Sequence, residues 1–221
     1  MKYLATLLGL ASLVVVGCGE PKSVLVRRPT SPVADAAVTA MWSTEVSQVA
    51  RDGDWILTRS YYALADAITL TTPGENLSHA SILDAQRGTI IEAVGAGVRE
   101  IPLSELVARN HYVIVVRPSR MTADDQRAAL ARARTRVGAP YDAAGMFGVD
   151  HEDAFYCSEL VYWASQTEAR SGSHETVVTP ADLMKYGEVI YWSGARTDPQ
   201  VMELASARAA RPARTAATLN E

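Results

Sequence analysis

Residues 155–161 read FYCSELV, and this stretch decides how the rest of the sequence is interpreted. Apolar residues recur at helical spacing after Cys157 and predict a buried helix over residues 157–166 that begins at this cysteine. Backbone N–H groups and the helix dipole at such a position stabilise a thiolate, and they can also bind an oxyanion during acyl transfer. The segment therefore predicts either a nucleophilic thiol or, alternatively, a buried cysteine that acts only as a small apolar side chain.

A nucleophilic thiol needs a base, and His79 is the histidine that the sequence places best. Residues 80–84 and 89–94 are two β-like runs joined by a four-residue loop, which predicts a hairpin. If the residues that flank the loop are paired, His79 and Glu92 lie on one face as diagonal neighbours, about 7–8 Å apart between their backbones. Glu92 could then orient the His79 ring. The alternatives are a capping role at the strand end for His79 and a solvated position for Glu92.

His151 is the rival base, because it lies close before Cys157 in the run DHED at residues 150–153. Four consecutive polar residues are more typical of a solvated loop, and a metal site there lacks the spaced partners that a cation needs. His111 and His174 also fall in polar contexts that are typical of loops. We therefore expect neither a metal nor a cofactor.

The N-terminal segment predicts export and lipidation. An apolar run over residues 3–16 follows Lys2; it is too short to span a bilayer comfortably and is typical of a secretory signal peptide, here residues 1–17. The run ends in VVGC, which resembles the bacterial lipobox, so acylation of Cys18 is expected; an ordinary signal peptide is the alternative. The residue after Cys18 is Gly19 rather than an aspartate, which favours an outer-membrane location. Acylation of Cys18 would leave one free thiol in an oxidising compartment, without a disulfide partner.

The exported chain divides into three parts. Residues 18–35 contain three prolines and predict a lipidated linker that lifts the domain off the membrane. Residues 36–195 carry the apolar patterning of one folded domain. Residues 196–221 are rich in Ala, Arg and Thr without apolar periodicity and predict a loose tail, with weak helix as the alternative.

Helices and antiparallel strands are mixed in the body without a regular alternation, so the predicted fold class is α+β. Helices are predicted over residues 36–50, 61–70, 103–109, 122–137 and 157–166, with a short one from residue 179. Strands are predicted over residues 54–58, 80–84, 89–94, 97–101, 112–117 and 188–192.

The composition excludes several classes of protein. With 48% hydrophobic residues, 14 Gly and 10 Pro, the chain is not collagen-like, coiled-coil or broadly disordered. The 25 acidic and 21 basic residues include no run of five or more like charges, so no nucleic-acid partner is expected. Two cysteines cannot build a disulfide framework or a four-ligand zinc site. We expect a monomer.

An ordered set of short motifs resembles the circularly permuted branch of the NlpC-type papain-like cysteine hydrolases, the YaeF/YiiX-like group. The set covers GDWIL at 53–57, SHASI at 78–82, IEA at 91–93, GV at 97–98, VIVVR at 113–117, GAPYD at 138–142 and YCSELV at 156–161. The resemblance implies a permuted papain-like fold, in which an antiparallel sheet packs against helices and the histidine precedes the cysteine in the chain. It implies that Cys157 is the nucleophile, His79 the general base and Glu92 the residue that orients the base. It also implies that Tyr141 lies in the pocket near the thiol and that Ser158 frames the helix start.

Three functions are compatible with these features. The leading one is a thiol hydrolase that cleaves an amide or ester bond of a cell-wall peptide through an acyl-enzyme intermediate. The second is a lipid deacylase or acyltransferase with a lipid-like acyl substrate, favoured by the lipid anchor and the apolar segment 61–70. The third is a catalytically silent lipoprotein that binds a component of the envelope.

Overall fold

The computed structural model describes residues 21–71, 75–149 and 151–210. The predicted signal peptide, the predicted lipidation site Cys18 and the last part of the predicted tail, residues 211–221, therefore lie outside the described residues. Within the described ranges, none of the helices has both the length and the apolar character that crossing a bilayer requires.

A six-stranded antiparallel sheet forms the middle of the domain. Its strands are β1 (Trp55–Ser60), β2 (His79–Asp84), β3 (Thr89–Val94), β4 (Gly97–Pro102), β5 (Asn110–Pro118) and β6 (Gly187–Trp192). They lie side by side in the order β4-β3-β2-β1-β5-β6, so that β1 and β2 are central and successive hairpins join β2, β3 and β4. The predicted α+β class and the antiparallel sheet are confirmed.

Helices pack on both faces of the sheet. They are α1 (Pro32–Val49), α2 (Ala63–Thr71), α3 (Leu103–Ala108), α4 (Ala123–Arg134), α5 (Cys157–Ala164), α6 (Thr167–Ser171) and α7 (Pro199–Ala209), with 3-10 turns at Gly145–Phe147 and Asp182–Tyr186. Alternate residues of β1 show the division, because Trp55 and Leu57 pack in the layer of α4 and α5 whereas Ile56 packs in the layer of α1, α3 and α7. A strand covered on both faces needs apolar residues at consecutive positions, which is how residues 55–57 read.

The predicted hairpin register is confirmed. Asp84 lies opposite Thr89 and Ile82 lies opposite Ile91, so the strands pair directly from the four-residue loop at 85–88. Side chains alternate between the faces of a strand, and this register therefore brings odd positions of β2 and even positions of β3 to the same side.

The start of β1 depends on a glycine. Gly53 has a φ of +80°, which L side chains rarely adopt, and a Cβ at this position would overlap the backbone oxygen of Gln126 in α4. The turn into the sheet and the close approach of α4 both require the absence of a side chain here.

The N-terminal boundary differs from the prediction. Helix α1 begins at Pro32, where Ser31 accepts a hydrogen bond from the Ala34 N–H (3.3 Å) and proline occupies the first helical turn. Asp35 is buried, and residues 21–25 are bonded to α2. The prediction of a linker over 18–35 is therefore wrong for its described residues, because backbone and carboxylate contacts fix a segment that has little apolar signal.

The loose tail is also wrong for residues 196–209. The guanidinium of Arg196 is fully buried, where it donates to the carbonyl of Asn110 (3.0 Å) and to the carboxylate of Asp35 (3.0 Å) and lies over the ring of Trp42. Helix α7 then packs on α1. Sequence periodicity missed this helix because a small residue, Ala205, is the one that it buries fully.

Candidate active site

Cys157 is the first residue of α5, as the sequence predicted, and its side chain is buried. The turn that precedes α5 is fixed by two hydrogen bonds of Tyr156, one from its backbone and one at its side chain. Its N–H donates to the Glu159 carboxylate (3.0 Å), and its hydroxyl accepts a hydrogen bond from the Val178 N–H (2.8 Å). The first N–H groups of a helix have no partner within the helix, so a charge at this cysteine faces the positive end of α5.

His79, the first residue of β2, lies close enough to the thiol of Cys157 for the two groups to shift each other's pKa. Burial opposes a charge on the ring, but the hydrogen bonds to Cys157 and Glu92 and the charges of both groups raise the pKa of His79 to about 9. Burial likewise opposes a thiolate, but the hydrogen bond and charge of His79, followed by the Ala80 N–H and Ser158, lower the pKa of Cys157 below its ordinary value. The two groups therefore favour an imidazolium–thiolate pair, which is the nucleophilic form of a cysteine.

Glu92 holds the other side of the histidine ring. Its carboxylate is completely buried, and Oε2 lies 2.7 Å from Nε2 of His79. Because Nε2 is occupied by this contact, Nδ1 is the ring nitrogen available to Cys157. Burial acts to raise the pKa of Glu92, but hydrogen bonds and charge from His79, together with Arg109 and Arg99, lower it to about 2. Between about pH 2 and pH 9 the carboxylate is therefore ionised while the histidine is charged.

Two arginines that the sequence analysis did not single out bind the same carboxylate. Nε and Nη2 of Arg99 each lie 2.9 Å from Oε1 of Glu92, and Arg109 donates to Oε2. Arg99 could have been found from the pattern, because the turn between β3 and β4 places it directly opposite Glu92. Arg109 follows α3, and no periodicity predicts where its side chain lies. Together the two guanidinium groups fix the carboxylate in position.

Of the two predicted pocket residues, Ser158 lines the cavity beside Cys157 and Tyr141 does not. The Tyr141 hydroxyl donates to the sulfur of Met146 (3.3 Å); its pKa is raised by burial and by the charge of Cys157, which places it within electrostatic reach of the thiol. The Ser158 hydroxyl donates to the carbonyl of Val178 (2.7 Å) and lies 4.0 Å from the sulfur of Cys157. Ser158 therefore ties the first turn of α5 to the segment that follows α6.

The other three histidines have partners away from the thiol. His151 pairs with Asp142 (3.1 Å) and is more than half exposed, His111 contacts the hydroxyl of Tyr61 (3.3 Å), and His174 pairs with Glu168 on the surface (3.0 Å). Across the described part of the chain, no three His, Cys, Asp or Glu side chains are grouped so that they could hold a metal ion.

A cavity of about 210 Å³ lies beside Cys157. Most of its lining is apolar, and the residues come from α2, the 3-10 turn at Gly145–Phe147 and the segment after α6, including Leu64, Ile68, Met146, Phe147, Val177 and Pro180. Pockets for drug-sized molecules have about 300–1,000 Å³. This cavity suits a single chain or side chain of apolar character.

A larger groove of about 750 Å³ adjoins the first cavity through Tyr156 and Val178. Its lining is far more polar and includes Glu152, Glu159, Glu168 and Glu175, but Cys157 is not among its lining residues. The chemistry therefore belongs to the smaller cavity, and the groove offers room for the rest of a substrate.

The chain matches the model of a known protein family over most of the domain. A family model described as a permuted papain-like amidase enzyme, YaeF/YiiX, C92 family, matches residues 49–189. The matched range includes Cys157, His79 and Glu92 and extends from the end of α1 into β6. No curated protein matches the chain in sequence.

Proposed function

Because the chain belongs to the YaeF/YiiX family of permuted papain-like amidases, we propose that it is an envelope-anchored cysteine hydrolase that cleaves an amide or ester bond through an acyl-enzyme intermediate. The observation that carries this proposal is the contact series Cys157–His79–Glu92 at the start of α5, where the thiol pKa is lowered and the histidine pKa is raised. The anchor is the acylated Cys18 expected from the sequence, which would hold the enzyme on the periplasmic side of the outer membrane.

The reaction uses the imidazolium–thiolate pair directly. The Cys157 thiolate attacks the carbonyl carbon, and the oxygen that becomes negative is stabilised by N–H groups at the start of α5. The His79 imidazolium then donates its proton to the leaving nitrogen or oxygen, and a thioester remains on Cys157. Neutral His79 next removes a proton from water as the water attacks the thioester. The acid leaves, and the imidazolium–thiolate pair is restored.

Two substrate classes compete for this site. The sequence favoured a cell-wall peptide, whose amide bonds are accessible to an enzyme anchored in the envelope. The apolar lining beside Cys157 favours a fatty-acyl amide or ester, because polar peptide groups placed there would lose their hydrogen bonds to water. On this geometry we favour the acyl substrate.

Intact-mass analysis of the enzyme separates these possibilities. We would incubate the full chain either with an N-lauroyl amide or with a cell-wall tripeptide, and measure the mass added at Cys157 together with the product released. A lauroyl adduct with release of laurate supports the acyl substrate, and a peptidyl adduct supports the cell-wall substrate.

Two variants serve as controls for this assay. Cys157→Ala should lose both adduct and product while it keeps the thermal unfolding temperature of the parent, since the thiol acts chemically. His151→Ala should retain both, because His151 contacts Asp142 and has no hydrogen bond to the thiol. Absence of any adduct with both substrates, and with a cysteine-directed acyloxymethyl ketone, would favour the catalytically silent lipoprotein.

A further inference from the structure

We propose that the mouth of the Cys157 cavity rests on the lipid bilayer, so that substrate enters from the membrane–water interface. The inference rests on the proposed acylation of Cys18 and on the course of the described chain that follows it. The segment concerned is residues 21–25, here called the N-terminal strap.

The N-terminal strap is bonded to α2 along its length. The Pro21 carbonyl accepts the Ala63 N–H at the start of α2 (2.8 Å), and the Ser23 N–H donates to the carbonyl of Tyr61 (2.7 Å). The Ser23 hydroxyl and the Val24 N–H donate to the two oxygens of Asp66 (2.6 and 2.8 Å). The strap therefore has a fixed position on the helix that lines the cavity.

Asp66 is a strong attachment point for the strap. Its carboxylate is buried against the fully buried guanidinium of Arg59, which donates to the same oxygen as Ser23. Burial acts to raise the pKa of Asp66, but the hydrogen bonds from Ser23, Arg59 and the strap N–H groups lower it to about 2. The attachment therefore persists at every pH found in a bacterial envelope.

The distance between the anchor and the cavity is limited by the chain. Cys18 precedes Pro21 by three residues, and three residues span at most about 11 Å. Acyl chains on Cys18 would therefore enter the bilayer within about 11 Å of the point where Pro21 meets α2. A domain attached to its lipid anchor by so short a segment has to present the side where Pro21 meets α2 to the membrane.

The surface at that point is apolar and exposed. Val24 is 83% exposed and Leu25 50%, while Leu64 on α2 is 61% exposed and Phe147 85%. Leu64 and Phe147 also line the Cys157 cavity. Single exposed apolar residues are ordinary, but these four lie along the strap and the cavity rim that the anchor holds at the bilayer, where their burial would be favourable.

The charge of the residues next to the N-terminal strap also favours contact with a lipid bilayer. Residues 21–30 include Lys22, Arg27 and Arg28 and contain no carboxylate. Lys22 and Arg27 are exposed, and Arg28 is paired with Asp35. Cations around an apolar patch are typical of surfaces that contact anionic phospholipid headgroups.

Photo-crosslinking to lipid tests this orientation. The full acylated chain would be placed in phosphatidylethanolamine–phosphatidylglycerol vesicles that contain a phospholipid with a diazirine in its acyl chain. After irradiation, label is expected on the tryptic peptides 60–87 and 137–170, which carry Leu64 and Phe147. Equal or greater label on peptides 186–196 and 197–208, which carry the exposed Trp192 and Leu204, would overturn the proposal. A mass spectrum without acyl groups on Cys18 would overturn it as well.

Alkylation of Cys157 gives a second, independent readout. A maleimide on a palmitoyl chain, added to the vesicles, is compared with iodoacetamide added in water. Substituting Val24→Ser together with Leu25→Ser should slow alkylation by the vesicle-borne probe about tenfold, since it removes apolar burial worth more than the 1.4 kcal/mol per tenfold. Alkylation by iodoacetamide should be unchanged.

The matched control is Trp192→Ser, which removes a similarly exposed apolar side chain on β6 and should change neither rate. A strap variant with the wild-type vesicle-borne rate would contradict the proposal. Failure of the proposed hydrolase activity would instead appear as absence of substrate turnover with the lipid-label pattern intact, so the two proposals fail separately.

Discussion

Replacing Glu92 by glutamine isolates the charge that holds the histidine. The variant keeps the size of the side chain and an acceptor oxygen, but it leaves His79 near the positive charges of Arg99 and Arg109 with no anion between them. The imidazolium should become less stable. Because the imidazolium stabilises the thiolate, the pKa of Cys157 should rise toward its ordinary value.

The size of the effect follows from the shift at His79. The pKa of this nearly buried histidine moves from 6.5 to about 9, and each pKa unit corresponds to about 1.4 kcal/mol. Cys157 and Glu92 share the stabilisation, so the part lost with Glu92 is about 2 kcal/mol. The equilibrium constant for forming the imidazolium–thiolate pair near neutral pH should fall about 30-fold, and the reactivity of the thiol should fall by up to the same factor.

The assay needs no knowledge of the substrate. In a Cys18→Ala background Cys157 is the sole cysteine, so the rate of alkylation by iodoacetamide reports on its thiolate. From pH 5 upward, the wild-type rate should reach its plateau at lower pH than the rate of Glu92→Gln. Glu100→Gln is the matched control, since Glu100 is also bound by an arginine, Arg134 (3.2 Å), and by Thr89, without contact to a histidine. A wild-type rate near pH 6.5 in Glu92→Gln, with an unchanged unfolding temperature, would refute the reasoning.

Three further outcomes are expected. The pKa of His79 in the folded protein, about 9, lies above its ordinary 6.5, so the contribution of His79 to the stability of the fold is complete below pH 6.5 and is lost as the pH rises through 9. The pKa of Glu92 in the folded protein, about 2, lies below its ordinary 4.5, so the contribution of Glu92 is present above pH 4.5 and is lost as the pH falls through 2. The lowered pKa of Cys157 acts in the opposite direction, so the His79–Cys157 pair changes the stability little between pH 6.5 and 9. The unfolding temperature should therefore form a plateau near neutral pH and fall as the pH drops from 4.5 towards 2, and an unchanged temperature over that acidic range would contradict this. His79→Ala should remove almost all turnover of the substrate that the intact-mass assay identifies, because the thiol and its base act together and the loss of either removes the activity of both. His151→Ala should keep a turnover within about twofold of wild type. A larger loss of turnover in His151→Ala than in His79→Ala would assign the base to His151. Gly53→Ala should lower the free energy of unfolding by about 2–3 kcal/mol in urea titrations, since it combines an unfavourable φ with a contact to the Gln126 backbone; a loss below about 0.5 kcal/mol would show that the turn adjusts.

The parts of the molecule that the sequence predicted well are those governed by short-range rules. The register of the hairpin followed from a period of two and a four-residue loop, and it brought His79 and Glu92 to one side. The capping of α4 by Thr122 and Asp125 is a similar case, since both partners lie within one turn of helix. In each of them the residues that decide the geometry are close together in the chain.

What the sequence did not predict depends on contacts between distant segments. The interaction between Cys157 and His79 joins α5 to β2, and no short-range pattern in the sequence places these two residues together. Arg109, which follows α3, binds Glu92, and Ser23 binds Asp66 although α1 and β1 lie between them in the sequence. These contacts are made by polar groups that become buried in pairs, so they leave no apolar periodicity in the sequence.

The buried Arg196 also bears on the order of the elements along the chain. It joins the carboxylate of Asp35 in α1 to the backbone at Asn110, and α7, which follows it, packs on α1, so the first and last of the described helices are neighbours. A polypeptide whose two ends are neighbours can be joined there and opened in a surface loop with the packing retained. In such an architecture the order of the histidine and the cysteine along the chain can change while their arrangement in space is retained.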